Sequence, residues 1–231
     1  MRALWITLAL TLAPGLTKAE VVYQQLTDPT FAWSAEGSSW SSGQSFQNIA
    51  QDSTVSSIVF KLKKTGTTAF TGTLSIKIYA ATGTPINYLP NTAGTLFATS
   101  GTVAGSSILG DAGNITFSGF TTNSNLVAGS NYVAVLDLTA LGGLSISNAL
   151  QIGGTTPIPA GTYSNFNRVQ STGSGFSADT TQQMYGTINV TAVPEPGTLL
   201  LGSIAAACGG GAWWRRKRHQ ASKATAKESV A

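Results

Sequence analysis

The stretch TVSSIVFKLKKT at residues 54–65 alternates apolar and polar side chains, and this alternation predicts the fold class. Ile58, Phe60 and Leu62 recur at every second position, and Lys61 and Lys63 fall on the opposite face. Because successive side chains of a strand point to opposite faces, this spacing predicts a strand with one apolar and one solvated face. Residues 72–80, GTLSIKIYA, repeat the pattern with leucine and isoleucine opposed by serine and lysine.

Similar runs fill the chain between residues 21 and 192, separated by Gly, Ser, Asn or Pro, which favour turns. They predict about nine short strands and no convincing amphipathic helix. Strands at this spacing point to an all-β fold, a β-sandwich or jelly roll, formed by one domain over residues 20–193. Seven side chains are predicted to point into its core: Phe60, Leu62, Ile76, Ile78, Val133, Val135 and Ile188.

The other predicted strands lie in seven stretches of the chain. These are SGQSFQNIA (42–50), GTLFATSGTV (94–103), NITFSGF (114–120), SNYVAVLDLT (130–139), ALQIGGTT (149–156), SNFNRVQS (164–171) and MYGTINVT (184–191).

The formal net charge of +4 for the 231 residues comes from the two ends of the chain. Between residues 20 and 193, five cations stand against seven acids, which gives that part a formal charge of −2. A nucleic-acid-binding domain needs a basic face, so the charge distribution speaks against a nucleic-acid partner.

Nucleophilic and metal chemistry is limited by composition. The single cysteine, Cys208, and the single histidine, His219, both lie beyond residue 193. Residues 20–193 therefore cannot form a Ser-His-Asp or Cys-His catalytic group or a zinc site built on His or Cys. We predict that the chain uses no cofactor.

Carboxylates are the remaining candidates for catalysis, because glycoside hydrolysis needs only two acids at a defined separation. None of them lies in a recognisable motif, and a solvated surface supplies acids in any case, so we predict that the chain is not an enzyme. The candidate acids are Glu36, Asp52, Asp111, Asp137 and Asp179.

Two further stretches carry residues that occur in binding sites. Asp111 and Asn114 could contribute to a calcium site, but a turn stabilised by Asp and Gly is the favoured interpretation. GSGFSA at residues 173–178 matches a loose dinucleotide-binding pattern without the strand–turn–helix context, so we predict a flexible loop there.

Residues 1–19 have the layout of a secretory signal peptide. Arg2 precedes an apolar run at residues 3–13, and Thr17 and Ala19 put small residues at the third and first positions before the cut. The run is too short to span about 30 Å of hydrocarbon. We predict that signal peptidase cuts between Ala19 and Glu20; the alternative is a buried N-terminal helix.

Residues 197–214 form an uncharged run that would span about 27 Å as a helix. Four cations follow it: Arg215, Arg216, Lys217 and Arg218. Because cations flanking a membrane helix stay on the cytoplasmic side, we predict a transmembrane helix with a basic cytoplasmic tail at residues 219–231. The alternative is a glycine-rich soluble tail.

The ordered triplet of Pro194-Glu195-Pro196, an apolar run and a basic cluster resembles the PEP-CTERM sorting signal of exported bacterial proteins, here over residues 194–218. The resemblance implies recognition by exosortase, a membrane protease or transpeptidase. It also implies transient anchoring in the inner membrane and then a place on the surface or in the extracellular matrix of a Gram-negative-type bacterium. The tail at residues 219–231 is longer than is usual for this signal.

The rest of the chain resembles the choice-of-anchor domains, type R. That resemblance implies an exported β-sandwich module without an established activity. It is carried by Gln44-Ser45-Phe46, Phe60-Lys61-Leu62, GTLSIKIYA (72–80), LPNTAGTLFATSG (89–101) and LVAGSNYVAVLDL (126–138).

Two tryptophans, Trp33 and Trp40, flank the serine-rich stretch WSAEGSSW. Exposed aromatic rings can stack on sugars, so one hypothesis is a carbohydrate-binding module associated with exopolysaccharide. The other interpretation is that these side chains close one end of the core. The function we prefer from sequence is a non-catalytic exported surface or matrix protein.

Overall fold

Two β-sheets share one apolar core in this protein. The computed structural model describes residues 19–27, 29–48, 51–155 and 165–193, which belong to one compact unit, Lys18–Val193. The helical residues among those described are a single 3₁₀ turn, Gly105–Ser107. The predicted all-β class is confirmed, and the two sheets are consistent with a β-sandwich.

The first sheet has seven strands and the second has ten. The first contains β1 (Ala19–Gln25), β2 (Thr30–Ala35), β4 (Ser53–Lys64), β9 (Gly113–Phe117), β13 (Leu150–Thr155), β16 (Gln183–Met184) and β17 (Gly186–Ala192). The second contains β3 (Ser41–Gln47), β5 (Thr71–Thr82), β6 (Leu89–Pro90), β7 (Leu96–Thr99), β8 (Val103–Ala104), β10 (Thr121–Thr122), β11 (Asn131–Asp137), β12 (Leu141–Gly142), β14 (Arg168–Ser171) and β15 (Phe176–Asp179).

Strand order brings the first and last strands together. The first sheet runs β1-β17-β4-β13-β16, with β2 on β13 and β9 on β4. The second runs β10-β7-β5-β11-β3-β14-β15, with β6, β8 and β12 paired to β5. β17, the last strand in sequence, therefore lies inside its sheet, between β1 and β4, and both of its pairings are antiparallel.

β4 contributes its apolar face to the core as the alternation predicts. Ile58, Phe60 and Leu62 are buried. Val55 is also buried, although it precedes Ile58 by three residues. A β-bulge explains this spacing: Asn189 pairs with Ser57 and Val190 pairs with Val55, so the residue between them on β4 has no partner. An extra residue in one strand shifts the alternation by one and returns Val55 to the core face.

Five of the seven predicted core side chains are confirmed in the main core: Phe60, Leu62, Ile76, Ile78 and Ile188. Burying each large apolar side chain stabilises the fold by about 1.5–3 kcal/mol. Polar groups also join the sheets, because the Gln44 side-chain oxygen of β3 accepts a hydrogen bond from the Met184 amide of β16 at 2.7 Å.

The prediction that Val133 and Val135 point into the main core is wrong. Both are buried, but the side chains of β11 that join the main core are Tyr132, Ala134 and Leu136. Five consecutive residues of β11 are buried, so the strand has no solvated face. When both faces of a strand are apolar, alternation cannot tell which set faces which side.

Val133 and Val135 lie with Val169 in a second, smaller apolar cluster on the other face of the ten-stranded sheet. Leu89 of β6 and Phe176 of β15 pack against this cluster. The ten-stranded sheet therefore buries apolar side chains on both of its faces.

Six strands fall outside the nine predicted ones: β1, β2, β15 and the two-residue strands β6, β10 and β12. In β1, Val22 and Tyr23 are both buried because the register with β17 shifts between Val21 and Tyr23, and such a bulge hides the alternation. β2 takes in the start of the serine-rich stretch. The predicted loop at residues 173–178 is wrong in its second half, because Phe176 begins β15, which pairs with β14.

Candidate functional site

The loops collect at the two ends of β4, a strand of twelve residues that is about 36 Å long. We call the end near Ser53 the terminal end; it consists of residues 19–21, 51–53, 126–130 and 191–193. We call the end near Lys64 the distal end; it consists of residues 36–41, 64–70, 138–149 and 171–177.

The last strand is held in place up to its final residue. Ala192 of β17 pairs with Ser53 of β4, and Thr191 pairs with Ala19 of β1. One residue later, the Val193 amide donates a hydrogen bond to the Asp52 carbonyl at 2.8 Å. The chain is thus part of the sheet until the residue before Pro194.

The predicted sorting elements lie outside the described residues. They are Pro194, Glu195 and Pro196, the predicted span at 197–214, the cations Arg215, Arg216, Lys217 and Arg218, and the tail at 219–231. In the part of the chain that the structure describes, no helix has the length and apolar character to cross a membrane.

The residues on both sides of the predicted signal-peptidase cut lie in β1. Ala19 pairs with Thr191 and Glu20 pairs with Val190, and the side chains of Ala19 and Glu20 are exposed. A chain beginning at Glu20 would keep most of the pairing between β1 and β17. Because β1 and β17 are antiparallel, the first and the last described residues lie close together at the same end of the body.

Asn48 closes the terminal end from inside. Its side chain is fully buried, and its Nδ2 donates to the carbonyls of Gln51 at 2.9 Å and Leu126 at 2.8 Å. Its Oδ1 accepts a hydrogen bond from the Ser53 hydroxyl at 3.0 Å. The two backbone hydrogen bonds between Ser53 and Leu126 complete this closure. Buried polar groups that are all paired hold a segment in one arrangement.

Charge is distributed unevenly between the two ends. The described terminal end carries the exposed acids Glu20 and Asp52. The described cations all lie away from it: Lys61, Lys63 and Lys64 in the distal half of β4, Lys77 in β5 and Arg168 in β14. The terminal end of the described body is therefore acidic.

Asp137 is engaged by a cation. Its Oδ2 lies 2.8 Å from Lys77 Nζ, and its Oδ1 accepts hydrogen bonds from the Thr139 amide and hydroxyl. Burial raises the pKa of Asp137, but the hydrogen bonds from Lys77 and Thr139 outweigh it and hold the pKa below its ordinary value. The hydrogen bond to Asp137 raises the pKa of Lys77.

The other candidate acids lie apart from one another. Asp179 pairs with Arg168 at 2.7 Å, and Asp52 accepts a hydrogen bond from the Ala128 amide at 3.1 Å. Asp111 is exposed beside the 3₁₀ turn and Glu36 lies in the turn after β2. Among the described residues, no three His, Cys, Asp or Glu side chains are grouped so that they could hold a metal ion.

Arg168 is a buried charge that the sequence did not single out. It is 3% exposed, and its Nη2 donates to Asp179 and to the Gln170 side chain. Burial lowers the pKa of Arg168, and Asp179 opposes this change. Its Nε and Nη1 have no hydrogen-bond partner among the described residues. The sequence indicates this buried charge only by a lone arginine in the alternating stretch SNFNRVQS (164–171).

The structure places Trp40 at the distal end. Trp40 is half-buried and packs against the main core. Trp33 lies in β2, where its backbone pairs with Ile152, and its side chain is outside the described part of the structure. Trp40 therefore has the contacts that the core-closing interpretation expects, with part of its surface left in solvent.

A polar cleft of about 410 Å³ opens at the turn between β14 and β15. Gly173 in this turn has a φ of +99°, and a Cβ there would stand 3.2 Å from the Ser39 hydroxyl oxygen in the loop before Trp40. The turn and the Trp40 loop are thus neighbours. The cleft is lined by Gln170, Ser171, Thr172, Ser174, Gly175, Phe176 and Ser177.

One comparison with known proteins assigns part of the chain. Residues 192–217 match the family model of the PEP-CTERM protein-sorting motif. The PEP-CTERM motif supports an exported protein that exosortase sorts at the membrane. It begins at Ala192, the last residue of β17, and leaves the rest of the body unassigned. No curated protein shows significant similarity to the chain.

Proposed function

We propose that the chain is an exported, non-catalytic protein of the bacterial surface or extracellular matrix, released or transferred by exosortase at Pro194-Glu195-Pro196. The observation that carries this proposal is the PEP-CTERM match at residues 192–217, which begins where the folded body ends. Two of the five candidate acids, Asp137 and Asp179, are paired with cations, which supports a non-catalytic role for those two.

The sequence at both ends gives each step a physical basis. The signal peptide at residues 1–19 exports the body, and the run at residues 197–214 then stops in the membrane. Placing one Arg or Lys in the hydrocarbon costs about 2.5–3.5 kcal/mol, so the four cations of residues 215–218 keep the tail in the cytoplasm. Pro196 restricts Glu195 to extended geometry, which a protease can bind.

A tag inserted after Lys223 tests the processing. We expect the surface-localised protein in its native host to lose the tag, and Glu195→Ala or neutral replacements of Arg215 to Arg218 to leave uncut precursor. Immunoblotting of cell-surface and membrane fractions measures this. Surface protein that keeps the tag at full length would show that the run is a permanent anchor.

A carbohydrate-binding module associated with exopolysaccharide is the second candidate function. The observation that favours it is the polar cleft between β14 and β15, which carries one aromatic ring, Phe176, and adjoins the Trp40 loop. Hydroxyl and amide groups beside an aromatic face are the chemistry that sugar recognition uses.

A glycan array of the exported protein tests this candidate. We expect the wild-type protein to bind glycans on the array and Trp40→Ala or Trp33→Ala to weaken that binding. Both variants should remain folded at the assay temperature, as their thermal midpoints will show. Ile146→Ala, an exposed substitution elsewhere at the distal end, is the control and should leave binding unchanged. An intact protein that binds no glycan on the array contradicts the carbohydrate function and leaves the sorting proposal in place.

A further inference from the structure

The point at which the folded body stops is defined within one residue. Ile188 and Val190 of β17 are buried, and the strand is hydrogen-bonded to β1 on one side and to β4 on the other. The Val193 amide is bound to the Asp52 carbonyl. Releasing Val193 from the sheet would begin to open an interior strand, so the chain is not free to act as a linker before Pro194.

The chain between this point and the predicted membrane span is short, and this step rests on the proposed function. Four residues lead from Val193 to residue 197, a distance of about 13 Å when extended. The polar layer on one side of a bilayer takes up about 5–7 Å of this distance. The remaining gap is narrower than one α-helix, which is about 10 Å across. An enzyme that binds Pro194-Glu195-Pro196 therefore touches the terminal end of the body.

The chemistry of the terminal end favours a protein over lipid headgroups. Val127 is 50% exposed and follows Leu126, which is bonded to Ser53, so it lies at the tip of this end. Two exposed acids flank β17: Glu20 in β1 on one side, and Asp52 in the turn before β4 on the other. The amino group that the predicted cut leaves on Glu20 offsets one of these charges, so the surface keeps a formal charge of −1. Anionic headgroups repel such a surface, whereas a protein surface with cations and apolar side chains complements it.

We propose that the surface formed by Glu20, Asp52, Val127 and Ala128 is a docking surface for the sorting protease. The protease reads the tripeptide and, in the same encounter, contacts the folded body beside it. Folding then contributes to recognition, since the pairing of β1 and β4 with β17 and the hydrogen bond from the Ala128 amide to Asp52 place these residues at one end of the body.

Val127→Lys tests this surface in the full chain, carrying the tag after Lys223 in its native host. The added cation opposes a cationic partner, so we expect tag loss in a pulse-chase experiment to slow about two- to fivefold, the effect of one exposed charge contact. Ile146→Lys places the same charge at the distal end and should leave the rate unchanged. Resistance of the exported chains to added chymotrypsin, for which the new lysines are not cleavage sites, confirms that both variants fold.

A longer linker tests whether the effect of Val127→Lys depends on the short distance between the body and the tripeptide. Inserting Gly-Ser-Gly-Ser after Val193 lengthens the gap, and we expect it to bring the rate of the Val127→Lys chain close to that of the wild type with the same linker. Equal rates for wild type and Val127→Lys without the linker would overturn the docking surface alone. Faster processing or tighter membrane retention of Val127→Lys would assign the surface to lipid. A wild-type chain that keeps its tag would overturn the proposed function itself.

Discussion

The terminal end and the distal end of the body differ in how they are closed, and two asparagines illustrate the difference. At the terminal end, Asn48 is buried with both side-chain atoms hydrogen-bonded. At the distal end, Asn148 is also buried, but only its Nδ2 is bonded, to the Gly143 carbonyl, and its Oδ1 has no partner in the described structure. Ile146 beside it is 81% exposed. The terminal end, which holds the first and last described strands, is thus fixed by paired polar groups. The distal end is formed by loops that are less completely hydrogen-bonded.

The strongest way to break this comparison is to remove β17. A chain that ends after Tyr185 loses an interior strand and the buried side chains of Ile188 and Val190, so we expect it not to fold cooperatively, since the loss is comparable with a typical total stability of about 5–15 kcal/mol. A chain that ends after Val193 keeps the strand and should unfold in one transition. Urea unfolding followed by circular dichroism measures both. Cooperative unfolding of the shorter chain would contradict the role given to β17.

The next effect separates the core from the surface of the distal end. Ile76 is fully buried, so Ile76→Ala should lower the free energy of unfolding by about 2–4 kcal/mol. Ile146→Ala, on an exposed side chain, should change it by less than about 0.5 kcal/mol. Urea midpoints at constant slope measure both. Similar losses for the two variants would mean that Ile146 is covered in solution.

The two asparagines sharpen the comparison directly. Asn48→Ala removes three side-chain hydrogen bonds at a buried site and should cost about 1–3 kcal/mol. Asn148→Ala removes one hydrogen bond together with an unpaired oxygen, so its cost should be smaller. Amide hydrogen exchange at Leu126 and Val193 should rise in the first variant only. A larger loss of unfolding free energy for Asn148→Ala than for Asn48→Ala would contradict the view that the terminal end is the more firmly hydrogen-bonded one.

The smallest effect concerns the ion pair near the distal end, Lys77 with Asp137. The pKa of Asp137 is lower in the folded state than its ordinary value of 3.8. The ion pair therefore adds to the free energy of unfolding above the unfolded-state pKa. This stabilisation is lost as the pH falls through the lower pKa of the folded state. Asp137→Asn should remove that part of the acid-side dependence, worth about 0.2–1 kcal/mol for a partly exposed pair. Urea unfolding at pH 5 and pH 2.5 measures it, with Asp111→Asn as control. An unchanged dependence in Asp137→Asn would show that the pair contributes nothing.

Local alternation predicted the strands that have one polar face and failed where a strand departs from that pattern. β4 and β5 were predicted with the correct core faces, because lysine and serine occupy their outer positions. β1 was missed because a bulge buries Val22 and Tyr23 in succession, and β11 was assigned the wrong core face because it is apolar on both sides. No strand was predicted at the serine-rich stretch WSAEGSSW, whereas its first residue, Trp33, lies in β2.

The sequence by itself determined the all-β class and the PEP-CTERM motif, because both depend on residues that are close together along the chain. Strand alternation is read over a few positions, and a sorting motif is recognised as a short extended peptide next to an apolar run. Only the tertiary structure decided that Ala19 pairs with Thr191, that Asn48 closes the terminal end and that Arg168 is buried against Asp179. Sheet pairing joins residues from opposite ends of the chain, and its register depends on which faces bury apolar surface together, which no local pattern specifies.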